Sequence, residues 1–295
     1  MICFYHSADF DGICSGAIVK NKYPDCYLWG INYGNPFPWE KIQEGETVIM
    51  CDFSLQPFDD MAKLEELGNE FIWIDHHGSA MNEYRRWQES HDGFKIAGIR
   101  EIGKAACELT WEYLYPNEEM PWAVRYLGRY DVWDHVNPDV MSFQLGMRAK
   151  NPDEVKPHRT LMWTWLLNAS KSSLTHIVKE GRIIHDYMQS EYERYARSYS
   201  FEGTYDGRPA LFCNRGMTGS KLYDSVWNED KYELMVSFIK NPYGTWTVSL
   251  YTTHGDVDCG AIAKSKGGGG HEMAAGYQVD NLDFIQDMKP RSKDI

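Results

Sequence analysis

No Cys-x-x-Cys pair occurs anywhere in the sequence, and its seven cysteines are scattered and odd in number. That excludes a disulfide frame or a zinc knuckle of the usual spacing, and the thiols read as reduced, as in the cytosol. No apolar run approaches the roughly 20 residues needed to cross a bilayer. Met1-Ile2-Cys3-Phe4-Tyr5 leads directly into polar residues, without the charged start and long apolar stretch of a secretory signal. The expectation is a soluble, cytoplasmic chain with no membrane partner. Positive charge is also short: 30 Lys and Arg stand against 43 Asp and Glu, for a net charge of −13. This argues against a broad basic face for long duplex DNA. It is compatible with a small anionic ligand held through metals, because a bound cation reverses the local sign.

What the chain does have is core-forming material. Hydrophobic residues make up 43% of 295 positions and include 11 tryptophans, enough for two ordinary domains. Met1 to Tyr5, Thr47 to Cys51 and Phe71 to Ile74 are short apolar runs of strand character, with Tyr27 to Ile31 a further probable strand. The first runs into His6-Ser7-Ala8-Asp9-Phe10-Asp11-Gly12, the second into Asp52, and the third into Asp75-His76-His77-Gly78. Between them, Ile13 to Lys20 and Phe58 to Leu67 have helical character, the latter stopped by Gly68. Strands alternating with helices imply a parallel sheet, whose carboxyl ends lie along one edge where ligands bind. The polar clusters therefore converge, and carboxylates with imidazoles are ligands for divalent metals. One aspartate of the first cluster would suffice to cap the following helix, which leaves His6 and the second aspartate unexplained by capping. Asp131 is a further candidate ligand, at a helix end that equally suits an ordinary aspartate; Asp134 and His135 are read as supporting or surface groups.

Farther along, Glu101 to Leu114 and Pro121 to Arg129 carry helical patterns, and Pro157 to Ser200 is predominantly helical, read as a linker. From Phe201 the character changes. Ala210 to Cys213, Tyr232 to Ile239 and Trp246 to Tyr251 are strand-like, with Asn241-Pro242-Tyr243-Gly244 as a turn. Then come Gly267, Gly268, Gly269, Gly270 and His271, followed by Glu272-Met273-Ala274-Ala275-Gly276, whose alanines read as a helical start before a strand. Four glycines are unsuited to a helix or strand interior. They predict a loop whose amides cradle an anionic group, with His271 donating to a phosphate.

In order and spacing, the His6–Gly12 cluster, the isolated Asp52, the Asp75-His76-His77 triplet and Asp131 resemble the four motifs of the DHH phosphoesterase family. The Gly267–Gly276 stretch resembles the signature of that family's associated carboxyl-terminal domain in the RecJ and nanoRNase branch. Together these cover residues 6 to about 280 and point away from the family II pyrophosphatases, whose second domain lacks the glycine signature. The resemblance implies an α/β protein. A parallel-sheet, metal-binding domain over 1–175 is joined by a helical linker over 176–200 to a smaller mixed-sheet substrate-binding domain over 201–286, with a tail from 287 and the active site in the cleft between them. It implies two Mn²⁺ ions, or Mg²⁺, one on His6 and Asp9, the other on Asp11, His76 and Asp131, with Asp52 bridging. Asp75 would orient a histidine and His77 would face the substrate phosphate. Many relatives place an arginine after the Ser-Leu of the strand before the glycine loop. Here Ser249-Leu250 is followed by Tyr251, so Tyr251 stacking on a base and Arg215 supplying charge are the candidates that remain.

The expected activity is metal-dependent phosphoester hydrolysis. The chain is acidic and lacks the extra nucleic-acid-binding domains of a processive exonuclease, so short single-stranded RNA or DNA oligonucleotides are the first substrate class. Cyclic mono- or dinucleotides and 3′-phosphoadenosine 5′-phosphate are the alternatives, and a nucleotide-binding regulator is the non-enzymatic one. A homodimer is compatible with the sequence.

Overall fold

The computed structural model describes residues 1–66, 70–91, 95–151, 153 and 155–291. Gly68, read above as a helix stop, lies outside them. The chain divides into two compact units, Met1–His185 and Asp186–Ile295. Among the described residues no helix is long and apolar enough to cross a membrane.

The first unit runs β1 (Ile2–His6), α1 (Phe10–Lys22), β2 (Tyr27–Ile31), β3 (Thr47–Cys51), α2 (Asp59–Glu66), β4 (Glu70–Ile74) and α3 (Gly78–Ser90). It continues with α4 (Ala106–Leu114), α5 (Trp122–Asp131), α6 (Pro138–Arg148), α7 (Thr160–Asn168) and the first turns of the long α8 (Thr175–Tyr199), whose remainder belongs to the second unit. The four strands are all parallel, in the order β2-β1-β3-β4. Side chains alternate across the sheet, and both faces are apolar. Cys3, Tyr5, Ile49, Cys51, Ile72 and Ile74 pack on one face; Phe4, Val48, Met50, Phe71 and Trp73 pack on the other. Sheets covered on both sides read as continuous hydrophobic runs, which is why these strands stood out in the sequence.

Strand order matters for the site. From β1 the chain moves outward to β2, then crosses back to β3 on the other side of β1. Such a reversal leaves a crevice at the carboxyl ends of the two strands. His6 ends β1 and Asp52 follows β3, so both flank it.

Two boundaries differ from the sequence pattern. The helix predicted from Glu101 starts at Ala106, with Gly103 at φ +93° in the preceding turn. The 157–200 segment is two helices, α7 and α8, separated by the polar stretch 169–174. The first turns of α8 pack in unit one through Ile177 and Val178. Its last turns pack in unit two through Tyr192 and Ala196.

The second unit comprises β5 (Ser200–Tyr205), β6 (Arg208–Cys213), β7 (Leu234–Lys240), β8 (Trp246–Tyr251), α9 (Cys259–Ser265), β9 (Gly269–His271), β10 (Ala274–Val279) and β11 (Gln286–Lys289). Its mixed sheet has the order β11-β5-β6-β7-β8-β10-β9, with β6 and β7 parallel and every other pair antiparallel. Here the structure corrects three expectations. The tail from residue 287 includes part of β11, which pairs with β5. Gly269–His271 forms a short edge strand, because the glycines permit close approach to β10: a methyl on Gly268 or Gly270 would overlap the Gly276 carbonyl or the Ala274–Ala275 backbone. Ala274 begins that strand directly, without the helical start read from its alanines.

Candidate metal centre

Each motif reaches the crevice through an identifiable local device. The α1 segment begins so close to β1 that a methyl on Gly12 would overlap the His6 carbonyl, and glycine is thereby required. Asp9 caps α1, its Oδ1 accepting from the Gly12 amide at 3.0 Å, while Oδ2 lies 3.0 Å from His6 Nδ1. Asp52 has φ +56°, a left-handed conformation that aspartate tolerates better than most residues, and its N–H donates to Ile74 O at 2.9 Å. This places the Asp52 carboxylate between neighbours: Oδ2 is 3.4 Å from His6 Nδ1, and Oδ1 is 3.4 Å from His76 Nε2. Asp131 closes α5 and brings Oδ2 within 3.4 Å of the same His76 nitrogen.

Asp11 is fully buried and does two things. Its Oδ1 accepts from the Cys107 amide at 2.7 Å and its Oδ2 from the Ala106 amide at 2.8 Å, the first turn of α4. Oδ2 also lies 3.7 Å from His76 Nε2. The capping role weighed for these aspartates is therefore real for both, Asp9 on its own helix and Asp11 on a distant one. Neither role removes the residue from the cluster.

Asp75 Oδ1 accepts from the backbone N–H groups of His76 and His77 at 2.7 and 3.1 Å and lies 2.7 Å from His77 Nδ1. An ionised carboxylate only accepts, so Nδ1 of His77 carries the proton and Nε2 is the free ring atom. The histidine that Asp75 orients by a side-chain bond is thus His77. The backbone of Asp75 is itself clamped, with its N–H on Ile99 O and its carbonyl receiving the Glu101 N–H; Gly98, at φ +110°, allows that segment to approach Trp73.

Among the described residues, three groups have donor atoms within 4.8 Å of one another and could hold a metal: His6/Asp9/Asp52, Asp11/His76/Asp131 and Asp52/His76/His77. Asp52 is common to two of them. Whether the residues suit a cation can be tested on unpaired atoms. Asp52 Oδ1 and Asp75 Oδ2 are buried without a hydrogen-bond partner, and an unsatisfied buried polar atom costs roughly 1–3 kcal/mol. Titration behaviour agrees. Burial alone would lower the His6 imidazole, but Asp52 and Asp9 outweigh it and raise it to about 10. His76, likewise opposed by burial, is raised to about 10 by Asp52, Asp11 and Asp131. Burial, with the Asp52 charge, pushes Asp131 up to about 6; burial with Asp52 and Asp131 raises Asp11 well above the carboxylate range. A site that holds protons this tightly is short of positive charge, and divalent ions fit it.

A profile of the DHH family, N-terminal domain, matches residues 1–128. Residues 1–128 are a DHH-family N-terminal domain. This is a family of metal-dependent phosphoesterases. Along 95% of this chain and 68% of its own length, an uncharacterised protein, R106, of Acanthamoeba polyphaga mimivirus is 24% identical. Among solved structures, the fold is similar to that of a pGpG-specific phosphodiesterase, PggH, from Vibrio cholerae, with TM-score 0.56 and 13% identity over 94% of this chain and 92% of that one. It is also similar to the DHH domain of PF0399, a member of the s1p family of ribosomal proteins, with TM-score 0.55 and 12% identity over 95% and 82%.

The first unit thus gathers His6, Asp9, Asp11, Asp52, Asp75, His76, His77 and Asp131 in one place. Asp134 and His135 stay outside it: Asp134 pairs with Arg129 at 3.1 Å, and His135 Nε2 donates to Tyr130 O at 3.2 Å. In the second unit, Tyr251 donates its hydroxyl to Thr218 O at 2.7 Å, and the Arg215 guanidinium lies 4.5 Å from the Tyr195 ring centre. Both have local structural partners. Gly269, Gly270 and His271 line a cavity of about 660 Å³ with Asp258 and Lys264. Two aromatic groups beside the metal residues escaped the sequence reading. Tyr33 lies 5.7 Å from His6, ring centre to ring centre, and Trp133 follows Asp131 by two positions. An aromatic residue in an otherwise polar turn is the signal that was available for both.

Proposed function

We propose that this chain is a phosphodiesterase that hydrolyses short single-stranded oligonucleotides to mononucleotides, in the manner of an oligoribonuclease, using two divalent ions, Mn²⁺ before Mg²⁺. The observation that carries this reading is the shared position of Asp52, whose Oδ2 lies 3.4 Å from His6 and whose Oδ1 lies 3.4 Å from His76. One ion is assigned to His6, Asp9 and Asp52, the other to Asp11, Asp52, His76 and Asp131. When bound, such a pair activates water and balances charge on the attacking and leaving oxygens of a phosphodiester.

The protein's own groups do the remaining work. Asp52 fixes the spacing of the two halves, because its backbone is tied to Ile74 and its side chain is buried. Asp75 holds His77 through Nδ1 and, with Asp52, raises its pKa against the effect of burial, so that the protonated ring offers Nε2–H to a non-bridging phosphate oxygen. Gly267, Gly268, Gly269, Gly270 and His271 are assigned to a phosphate or terminal nucleotide, in support of which β9 is an exposed edge with one cation, Lys264, beside it. Tyr251, through its ring face, and Arg215, through its guanidinium, stay proposed substrate contacts beside the local partners described above. The reading places the chain in the cytoplasm, where its thiols would stay reduced. PggH acts, by its name, on pGpG, and its likeness to this chain is one of fold.

The test is a product time course with Mn²⁺ on a 5′-labelled RNA trimer, a linear dinucleotide, a cyclic dinucleotide and 3′-phosphoadenosine 5′-phosphate. Fast mononucleotide release from the linear substrates is the expected result. Preference for either of the others keeps the centre and changes the substrate. Binding of metal and nucleotide with no turnover of any would make the chain a nucleotide-binding regulator.

A further inference from the structure

Trp133 is 70% exposed, whereas Trp73, Trp111 and Trp163 are buried in the same unit. Its backbone has φ +59°, a conformation that bulky residues avoid and that tends to persist where function requires it. The turn that carries it is built and held. Asp134 donates its N–H to Arg129 O at 2.9 Å and pairs with the Arg129 guanidinium at 3.1 Å, and Arg129 reaches Glu108 at 3.6 Å. His135 stacks on Tyr130 at 5.3 Å between ring centres, and the Trp133 ring lies 5.3 Å from His135. Val136, 93% exposed, adds a second apolar surface to the same turn.

The position is as informative as the exposure. Trp133 is two residues from Asp131, hence about 7 Å away along the backbone at most, and Asp131 Oδ2 is 3.4 Å from His76 Nε2. A nucleoside separates its base from its phosphate by one sugar, so this turn lies within the reach of a base whose phosphate is held at the metal residues. An indole face has nothing to offer a bare phosphate or polyphosphate, which is gripped by cations. It does offer a neutral surface on which any base can stack.

We infer that Trp133 is a stacking platform for a nucleobase of the substrate, and that it makes the centre selective for base-bearing phosphodiesters over base-free phosphates. The inference rests on the hydrolytic reading above for its kinetic test, and is separated from it by a binding test.

Wild type, Trp133→Ala and Trp133→Phe are compared with Mn²⁺ on a linear dinucleotide and on its abasic analogue, which keeps the diester and replaces both nucleosides by tetrahydrofuran residues. Trp133→Ala raises KM for the dinucleotide about 10-fold or more, in line with the loss of one stacked base. Trp133→Phe recovers most of it, and the abasic diester shows no such dependence. In parallel, calorimetry with AMP and with ribose 5-phosphate finds that Trp133→Ala weakens only AMP. Trp133→Gly, which relaxes the backbone, raises the melting temperature while weakening AMP. Trp133-dependent AMP binding without turnover of either diester supports the platform and removes the hydrolytic reading. Equal losses on both diesters, or no loss on either, overturn the platform. So does a Trp133→Ala protein that dissociates from dimer to monomer with KM unchanged, which would make this turn a contact between copies.

Discussion

Asp52 holds two unfavourable conditions at once, a left-handed backbone and a buried carboxylate oxygen with no partner. Both become intelligible if a cation is its normal neighbour. Asp52→Asn should therefore make the metal-free protein more stable than wild type in EDTA. It should also lose the Mn²⁺-induced rise in melting temperature, roughly 5 °C or more for wild type at saturating metal, and lower turnover by about three orders of magnitude. A wild-type metal response in this variant would count against the shared-carboxylate assignment. Gly12→Ala should destabilise by about 3 kcal/mol, because the His6 carbonyl occupies the space of the new methyl; chemical unfolding with and without metal measures it. The aspartates and histidines of the centre were legible because few other arrangements place carboxylates and imidazoles after three apolar strands. The second duty of Asp11 was not. It joins residues 95 and 96 positions apart, and nothing local announces it.

The same contact explains why α4 begins where it does. Its amphipathic pattern extends back to Glu101, yet Ala105 at the N-cap has no side-chain acceptor for the first amides. Asp11 supplies one from another element, and Glu108 covers the Ala105 amide at 3.2 Å. Capping losses run to about 2 kcal/mol. Asp11→Ala should accordingly destabilise the fold by about that much even with EDTA present, and should speed amide exchange in the first turn of α4, whereas Asp11→Asn retains one acceptor and should be milder. An unchanged exchange rate at Ala106 and Cys107 would remove the capping argument. The glycine run fails as a sequence signal for the opposite reason. Composition says loop, but a three-residue edge strand needs little intrinsic propensity once β10 provides its partner. With Gly270 at φ +143° and its Cβ space filled by the Ala274–Ala275 backbone, Gly270→Ala should disrupt the β9–β10 pairing. The expected readout is weaker dinucleotide binding with unchanged Mn²⁺ stoichiometry.

On the scale of the whole chain, all the proposed ligands fall within Met1–His185. A fragment ending at residue 185 should bind Mn²⁺ by calorimetry with the stoichiometry of the full chain, yet fail to hydrolyse a dinucleotide at a measurable rate. Failure to bind metal when folded would show that the second unit completes the centre. The parallel sheet was readable from its doubly buried strands. By contrast α3 and α6 were passed over, since Gly78 and Pro138 at their starts look like loop signals, although proline suits the first turn of a helix.

All seven thiols are buried, and they are shared unequally between the units: Cys3, Cys14, Cys26, Cys51 and Cys107 in one, Cys213 and Cys259 in the other. The native molecule should therefore be nearly inert to alkylating reagents, with each thiol reacting only when its surroundings open. Alkylation followed by peptide mass analysis would then time the opening of the two units separately within a single intact chain, with Mn²⁺ slowing the first five and leaving the last two unprotected.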